Sequence, residues 1–74
     1  MDEKSLQRKF GGAVRKRRLA SGHSQDTFAD AIEMHRAYFS SIERGERNIT
    51  LQTMRRVAEG LGTTVASLMM DAGI

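Results

Sequence analysis

Residues 24–48 read SQDTFADAIEMHRAYFSSIERGERN, and this stretch decides the fold. Ser24-Gln25-Asp26-Thr27 begins a short helix, and Phe28, Ala29 and Ile32 give it an apolar stripe. A break is expected near Glu33-Met34. A second short segment, Arg36-Ala37-Tyr38-Phe39-Ser40-Ser41-Ile42-Glu43, carries Phe39 and Ile42 on one face. Its opposite face is polar but almost uncharged, with Arg36, Tyr38, Ser40 and Ser41. Two short helices joined by a tight turn, the second turning hydrogen-bonding groups outward, have the layout of a helix-turn-helix.

Working outward from this pair, the periodicity predicts three more helices. The first runs from about Ser5, a candidate N-cap, to Ala20, with Leu6, Phe10, Ala13 and Val14 as its apolar stripe. Ser21-Gly22 ends it, because glycine suits the left-handed C′ position. Ser24 caps the second helix, which reaches about Ile32. The third spans Arg36 to Glu43, and Gly45 stops it. Thr50 caps a fourth, Leu51 to Leu61, with Leu51, Met54, Val57, Ala58 and Leu61 at helical spacing. Gly62 closes that helix, and Thr63 or Thr64 opens a short final one carrying Val65, Ala66, Leu68 and Met69. No strand signal and no repeat interrupts the pattern. The expected fold is all-α: a compact five-helix bundle, residues 1–74 forming one domain with its core over about residues 5–70.

Composition removes most other classes. The chain has no cysteine, so neither a disulfide nor a thiolate metal site supports its small core. Its two histidines are separated and show no metal-ligand spacing, so no metal is expected. No glycine-rich phosphate loop and no nucleophile–base pair is visible, which argues against an enzyme and against a cofactor; Gly11-Gly12 lies inside helix 1 and reads as a close-packing point. Nothing approaches the ~18 consecutive apolar residues of a membrane span. Met1-Asp2-Glu3-Lys4 lacks the apolar core of a signal peptide. A soluble cytoplasmic protein is expected. The net charge of +3 suits a polyanionic partner, and seven of the twelve basic residues precede Gly22. A solvated helix face accounts for that cluster equally well, so it counts only beside a groove-reading element.

In order and at matching spacing, Val14, Arg18, Gly22-x-Ser24-Gln25, Phe28-Ala29, Arg36-x-Tyr38-Phe39-Ser40, Ile42-Glu43-Arg44-Gly45, Arg47-Asn48 and Leu61-Gly62 followed by Leu68 resemble the Cro/C1-type helix-turn-helix family. The string Arg36 to Asn48 is especially similar to its restriction–modification controller subset. Three positions depart from the pattern: His23 stands where a hydrophobic residue is common, and His35 where the controllers often have an acidic residue. Glu33 occupies the turn position usually given to Gly or Asn, at a cost of about 1 kcal/mol if its backbone is left-handed.

The resemblance implies a transcription regulator that binds double-stranded DNA as a dimer on a palindromic operator, with no small-molecule effector. A stand-alone phage-type repressor and an antitoxin share the fold, and an adaptor for protein or RNA that has lost base readout stays open as a different class. In a helix-turn-helix the N-terminal residues of the second helix reach base edges in the major groove. Arg36 at that position is suited to a bidentate contact with guanine, its other reading being a phosphate contact. Ala37 is placed for a thymine methyl, and Ser40 and Ser41 for a base or phosphate. His35 is a DNA donor or a helix cap. The Tyr38 hydroxyl points to the sugar-phosphate unless the ring is structural. From the family come a phosphate-clamping role for Gln25, further phosphate contacts for Arg44, Arg47 and Asn48, and a buried ion pair between Arg18 and Glu43. Val65, Leu68, Met69, Met70 and Ile74 form more apolar surface than one short helix can bury, so a dimer interface is expected there.

Overall fold

The computed structural model describes residues 2–74. Five helices follow in chain order: α1 (Glu3–Ala20), α2 (Gln25–Ala31), α3 (Arg36–Glu43), α4 (Leu51–Gly60) and α5 (Val65–Ala72). No strand is present among the described residues. The helix-turn-helix pair is α2 and α3; α1 packs across α3 and α5, and α5 also meets α4.

Local chemistry sets the boundaries. Ser24, Thr50 and Thr64 are N-caps, each hydroxyl accepting from the backbone N–H three residues on, at 3.0, 3.1 and 3.0 Å. The cap of α1 is Asp2 rather than Ser5: the Asp2 carboxylate accepts from Ser5 N at 2.7 Å, and Ser5 lies inside the helix. An acidic cap also complements the positive end of the helix dipole.

Helix α2 ends with the same left-handed stop as the other helices, but with glutamate where they have glycine. Glu33 takes a positive φ of 54°, so the non-glycine residue at the turn does adopt the left-handed conformation. Met34 N donates to Ala29 O and Glu33 N to Asp30 O, the paired bonds of a Schellman-type stop. Arg56 of α4 donates to the Ile32 and Glu33 carbonyls at 2.6 and 2.8 Å. Its guanidinium thus satisfies carbonyls the helix end leaves free and brings positive charge to the negative pole.

The core draws on every helix: Phe10, Ala13 and Val14 from α1, Phe28 and Ala29 from α2, Phe39 from α3, Val57 and Ala58 from α4, and Leu68 from α5. Phe28 and Phe39 meet with ring centroids 5.0 Å apart and tilted by 45°, so their contact fixes α2 against α3. Two expected core positions are not core. Leu51 is 71% exposed at the first turn of α4, and Leu6 lies at the rim of α1. The reverse holds for Leu68, which was expected at a subunit interface: it is fully buried in the chain's own core.

The glycine pair in α1 divides by face. A Cβ on Gly11 would fall on the Ile42 and Glu43 carbonyl oxygens, whereas one on Gly12 would meet nothing within 4 Å. Close passage of α1 over the end of α3 therefore requires Gly11. Gly12→Ala should raise stability by ~0.5–1 kcal/mol, since alanine costs less entropy in an open helix interior. Gly11→Ala should lower the thermal midpoint sharply, and paired melts followed by circular dichroism check both signs.

Candidate nucleic-acid interface

The site rests on a buried polar junction. Arg18, in the last turn of α1, donates from Nε to Glu43 Oε2 at 2.7 Å and from Nη2 to Glu43 Oε1 at 3.1 Å. Its third nitrogen, Nη1, donates to the His23 carbonyl at 2.8 Å in the α1–α2 loop. Gln25 Nε2, at the start of α2, donates to Glu43 Oε1 at 2.8 Å. The Arg18 and Glu43 side chains are only 5% and 2% exposed. Among the described residues no buried side-chain polar atom lacks a partner. A carboxylate at the C-terminus of a helix opposes the dipole, so Glu43 depends on the forked guanidinium. This one junction joins α1, the loop after it, the start of α2 and the end of α3.

From that anchor α3 presents its N-terminal half to solvent. His35, Arg36 and Ala37 are exposed and Tyr38 and Ser40 are half-buried. His35 stands at the N-cap position of α3, but its side chain makes no capping hydrogen bond. Arg36 Nε lies 2.9 Å from Asp26 Oδ1 of α2, in a pair whose side chains are 63% and 74% exposed. Asp26 was missed in the sequence because nothing local links it to a residue ten positions on. Gln25, expected to clamp a phosphate, donates one amide hydrogen to Glu43 and has a second to offer.

Ser41, expected to reach a base or phosphate, faces inward. Its side chain is buried, its hydroxyl donating to Tyr38 O at 2.6 Å and accepting from Arg47 Nε at 3.0 Å. Ser41 therefore positions Arg47 and is not itself presented outward. Arg47 also lies 5.3 Å from the Tyr38 ring centroid, a cation–π contact that makes the half-buried ring a support for the guanidinium. Arg44 donates to the Ser40 hydroxyl and to Glu46 Oε1, the latter at 3.0 Å. That hydrogen bond, more than charge alone, holds the Glu46 carboxyl below its ordinary range, and the Arg47 charge acts in the same direction. Arg44, Arg47 and Asn48 are all exposed along the loop after α3.

The remaining site residues lie elsewhere. Val65 and Met69 are half-buried against the core, while Met70 is 79% and Ile74 48% exposed. Arg17 of α1 pairs with Asp71 of α5, a link the sequence did not reveal, and the Arg17 hydrogen bond holds the Asp71 carboxyl low. No cluster of three or more potential metal ligands occurs among the described residues. Among the described residues no helix is long and apolar enough to cross a membrane.

Residues 14–68 match the helix-turn-helix family. Control protein C.MunI of Mycoplasma sp is 39% identical over 64 residues, covering 85% of this chain and 86% of that protein. The chain belongs to the helix-turn-helix family of control proteins. Solved structures agree. The restriction–modification controller C.AhdI of Aeromonas hydrophila superposes with a TM-score of 0.80 at 35% identity, over 84% of this chain and 94% of its own. The controller C.Esp1396I, solved as a tetramer with its natural 35-base-pair operator, gives a TM-score of 0.80 at 27% identity, over 93% and 96%.

The junction generates a ranked stability prediction. Arg18→Ala or Glu43→Ala should cost ~3–5 kcal/mol, because each leaves the opposite charge buried without a partner. Gln25→Ala removes one of three bonds to Glu43 and should cost about 1 kcal/mol. Thermal melts check the order; a midpoint within about two degrees of wild type for Arg18→Ala would contradict the assignment.

Proposed function

We propose that this control-family protein is a sequence-specific transcription regulator that binds double-stranded operator DNA as a two-fold dimer, in the role of a restriction–modification controller. Its work is binding, with no catalytic step, and it acts in the cytoplasm on the genes beside its operator. The observation that carries the reading is the exposed N-terminal edge of α3, with Arg36 and Ala37 facing solvent, on a helix locked from behind by the Arg18–Glu43–Gln25 junction. A fixed helix with free donors at its leading edge is what readout in a major groove needs.

Roles follow from placement. Arg36 reads a guanine through its guanidinium and Ala37 meets a thymine methyl. Gln25, through its second amide hydrogen, grips phosphate on one side of the groove, and Arg44, Arg47 and Asn48 do so on the other. His35 and Ser40 add donors at the edge of α3, and Tyr38 supports Arg47 while keeping its hydroxyl for the backbone. Occupancy of the operator then blocks or recruits polymerase.

The dimer reading is supported by the apolar surface around α5. A groove of about 260 Å³ is lined by Leu6, Phe10, Ile49, Met54, Met69 and Ile74, with Arg47 and Asn48 also in its wall, and Met70, next to Met69 in the chain, is exposed. An isologous contact there buries it and sets two recognition helices about 34 Å apart, one DNA turn. Leu68, being core, takes no part; Met69 and Val65 contribute only their outer edges.

On a site selected from a random duplex pool, Arg36→Ala should weaken specific binding by ~10-fold or more while random-sequence binding stays nearly constant. Arg47→Ala should weaken both and flatten the salt slope by about one. Equal losses on specific and random DNA for Arg36→Ala, measured by fluorescence anisotropy, would remove the base-reading role. For the dimer, sedimentation equilibrium should show wild type dimeric at tens of micromolar and Met70→Glu monomeric with unchanged helicity. A monomeric wild type refutes the arrangement.

A further inference from the structure

Asp26 is the acidic residue nearest the base-reading edge, and an exposed carboxylate there is costly for a protein that binds a polyanion. It stands in the first turn of α2, next to Gln25, where a carboxylate complements the helix dipole. Its negative charge nonetheless repels the DNA backbone that Gln25 is proposed to grip. Its side chain is 74% exposed, so burial does not explain it, and its one ion pair is to Arg36. Capping of α2 belongs to Ser24, which already accepts from Thr27 N. Asp26 has no other bonded partner among the described residues.

The geometry of the pair gives the carboxylate a use. Asp26 Oδ1 lies 2.9 Å from Arg36 Nε as an ion pair without an aligned N–H···O hydrogen bond, and among the described residues no side chain or carbonyl hydrogen-bonds the guanidinium. The Nη1 and Nη2 end therefore stays uncommitted. That end carries two N–H groups side by side, the pair that matches guanine O6 and N7. An arginine drawn toward a carboxylate on a neighbouring helix is biased among its rotamers before DNA arrives, and its fork is left free. Without the carboxylate, Arg36 is a long exposed chain able to reach a phosphate as easily as a base.

We propose that Asp26 is a specificity-determining positioning residue: it holds Arg36 toward a guanine and, by its charge, penalises placements in which Arg36 turns to the backbone and leaves the carboxylate unpaired against phosphate. The inference rests on the base-reading role assigned to Arg36 above. Its consequence is directional. Removing the charge strengthens binding to random DNA, because a repulsive group is gone, and weakens preference for the correct base, because the arginine is released. A residue that merely stabilised α2 would weaken both kinds of binding together.

The test uses the full chain with Asp26→Asn, which keeps size and helix position, and the selected site with the responsive guanine replaced by 7-deazaguanine, which lacks the N7 acceptor. Wild type should discriminate against the deaza site, and Asp26→Asn should lose about threefold to tenfold of that discrimination while binding random duplex more tightly and with a steeper salt slope. In an Arg36→Ala background the same substitution should leave discrimination unchanged. Circular dichroism confirms that each variant is folded. Discrimination within twofold of wild type in Asp26→Asn, or an equal loss in the Arg36→Ala background, overturns the positioning role while leaving base readout intact. Full discrimination in Arg36→Ala alone removes the base-reading role, and this inference with it.

Discussion

The buried carboxylate of Glu43 is the constraint on which the rest of this molecule depends. It ends α3 with a charge the helix dipole disfavours, in surroundings that exclude water, and so it must be matched from several directions at once. Arg18 matches it with a planar fork and spends its remaining nitrogen on the loop before α2, while Gln25 arrives from α2 itself. A lysine could not reproduce this, having neither the fork nor the third fixed direction. The requirement propagates: Gly11 must be without a side chain so that α1 passes close enough to the end of α3 for Arg18 to reach. The angle of α3 relative to α1 and α2 is thereby fixed by polar geometry in addition to the Phe28–Phe39 contact.

The outer surface follows the opposite rule. Arg36, Arg44 and Arg17 are all paired in the free chain, but with exposed carboxylates at the solvent boundary. Such pairs contribute at most a fraction of the stability of a buried one and weaken with salt. They orient side chains without committing them, so exchange for a phosphate or a base costs little. Arg47 is held in another way, by the Ser41 hydroxyl and the Tyr38 ring, both neutral partners that leave its full charge for an anion. A rigid interior junction beneath weakly tethered arginines separates the task of holding the fold from the task of meeting a ligand.

Much of this was legible in the sequence, and the reasons are local. Ser24 and Thr50 announce helix starts because a hydroxyl three residues before a free N–H has one obvious use, whereas the last cap lay open between Thr63 and Thr64 and falls to Thr64. The bounds of α3 also follow from short-range pattern, while Glu33 stood out only against the family pattern, with its left-handed backbone left open. The Arg18–Glu43 pair came through family resemblance, since 25 residues separate its partners. What stayed hidden shares one property: it depends on how helices cross. Ser41 looked outward because it sits among polar neighbours, yet the loop after α3 folds over it and turns its hydroxyl into a support for Arg47. Asp26 and Arg36, Arg17 and Asp71, and Arg56 with the α2 carbonyls are contacts between helices whose relative placement no periodicity encodes. Leu68 and Leu51 exchanged expected roles for the same reason: apolar character marks a residue for burial, while only the packing decides which neighbour covers it.

Helix α5 shows where that ambiguity has a physical cost. With eight residues it must close the core through Leu68 on one side, and it still carries Met70 on the other, with Ile74 just beyond its end. A chain of this size buries a smaller fraction of its surface than a larger domain, so an apolar side left in water takes stability it can ill spare. In the proposed dimer the same helix serves both ends, and association and folding become linked: whatever occupies the outer face stabilises the folded chain by mass action. Such a protein is least stable when dilute and most stable once enough copies have accumulated to pair. Because operator recognition then needs two α3 helices at a fixed separation, the response of a promoter to this protein steepens with concentration through the fold itself, without any further ligand.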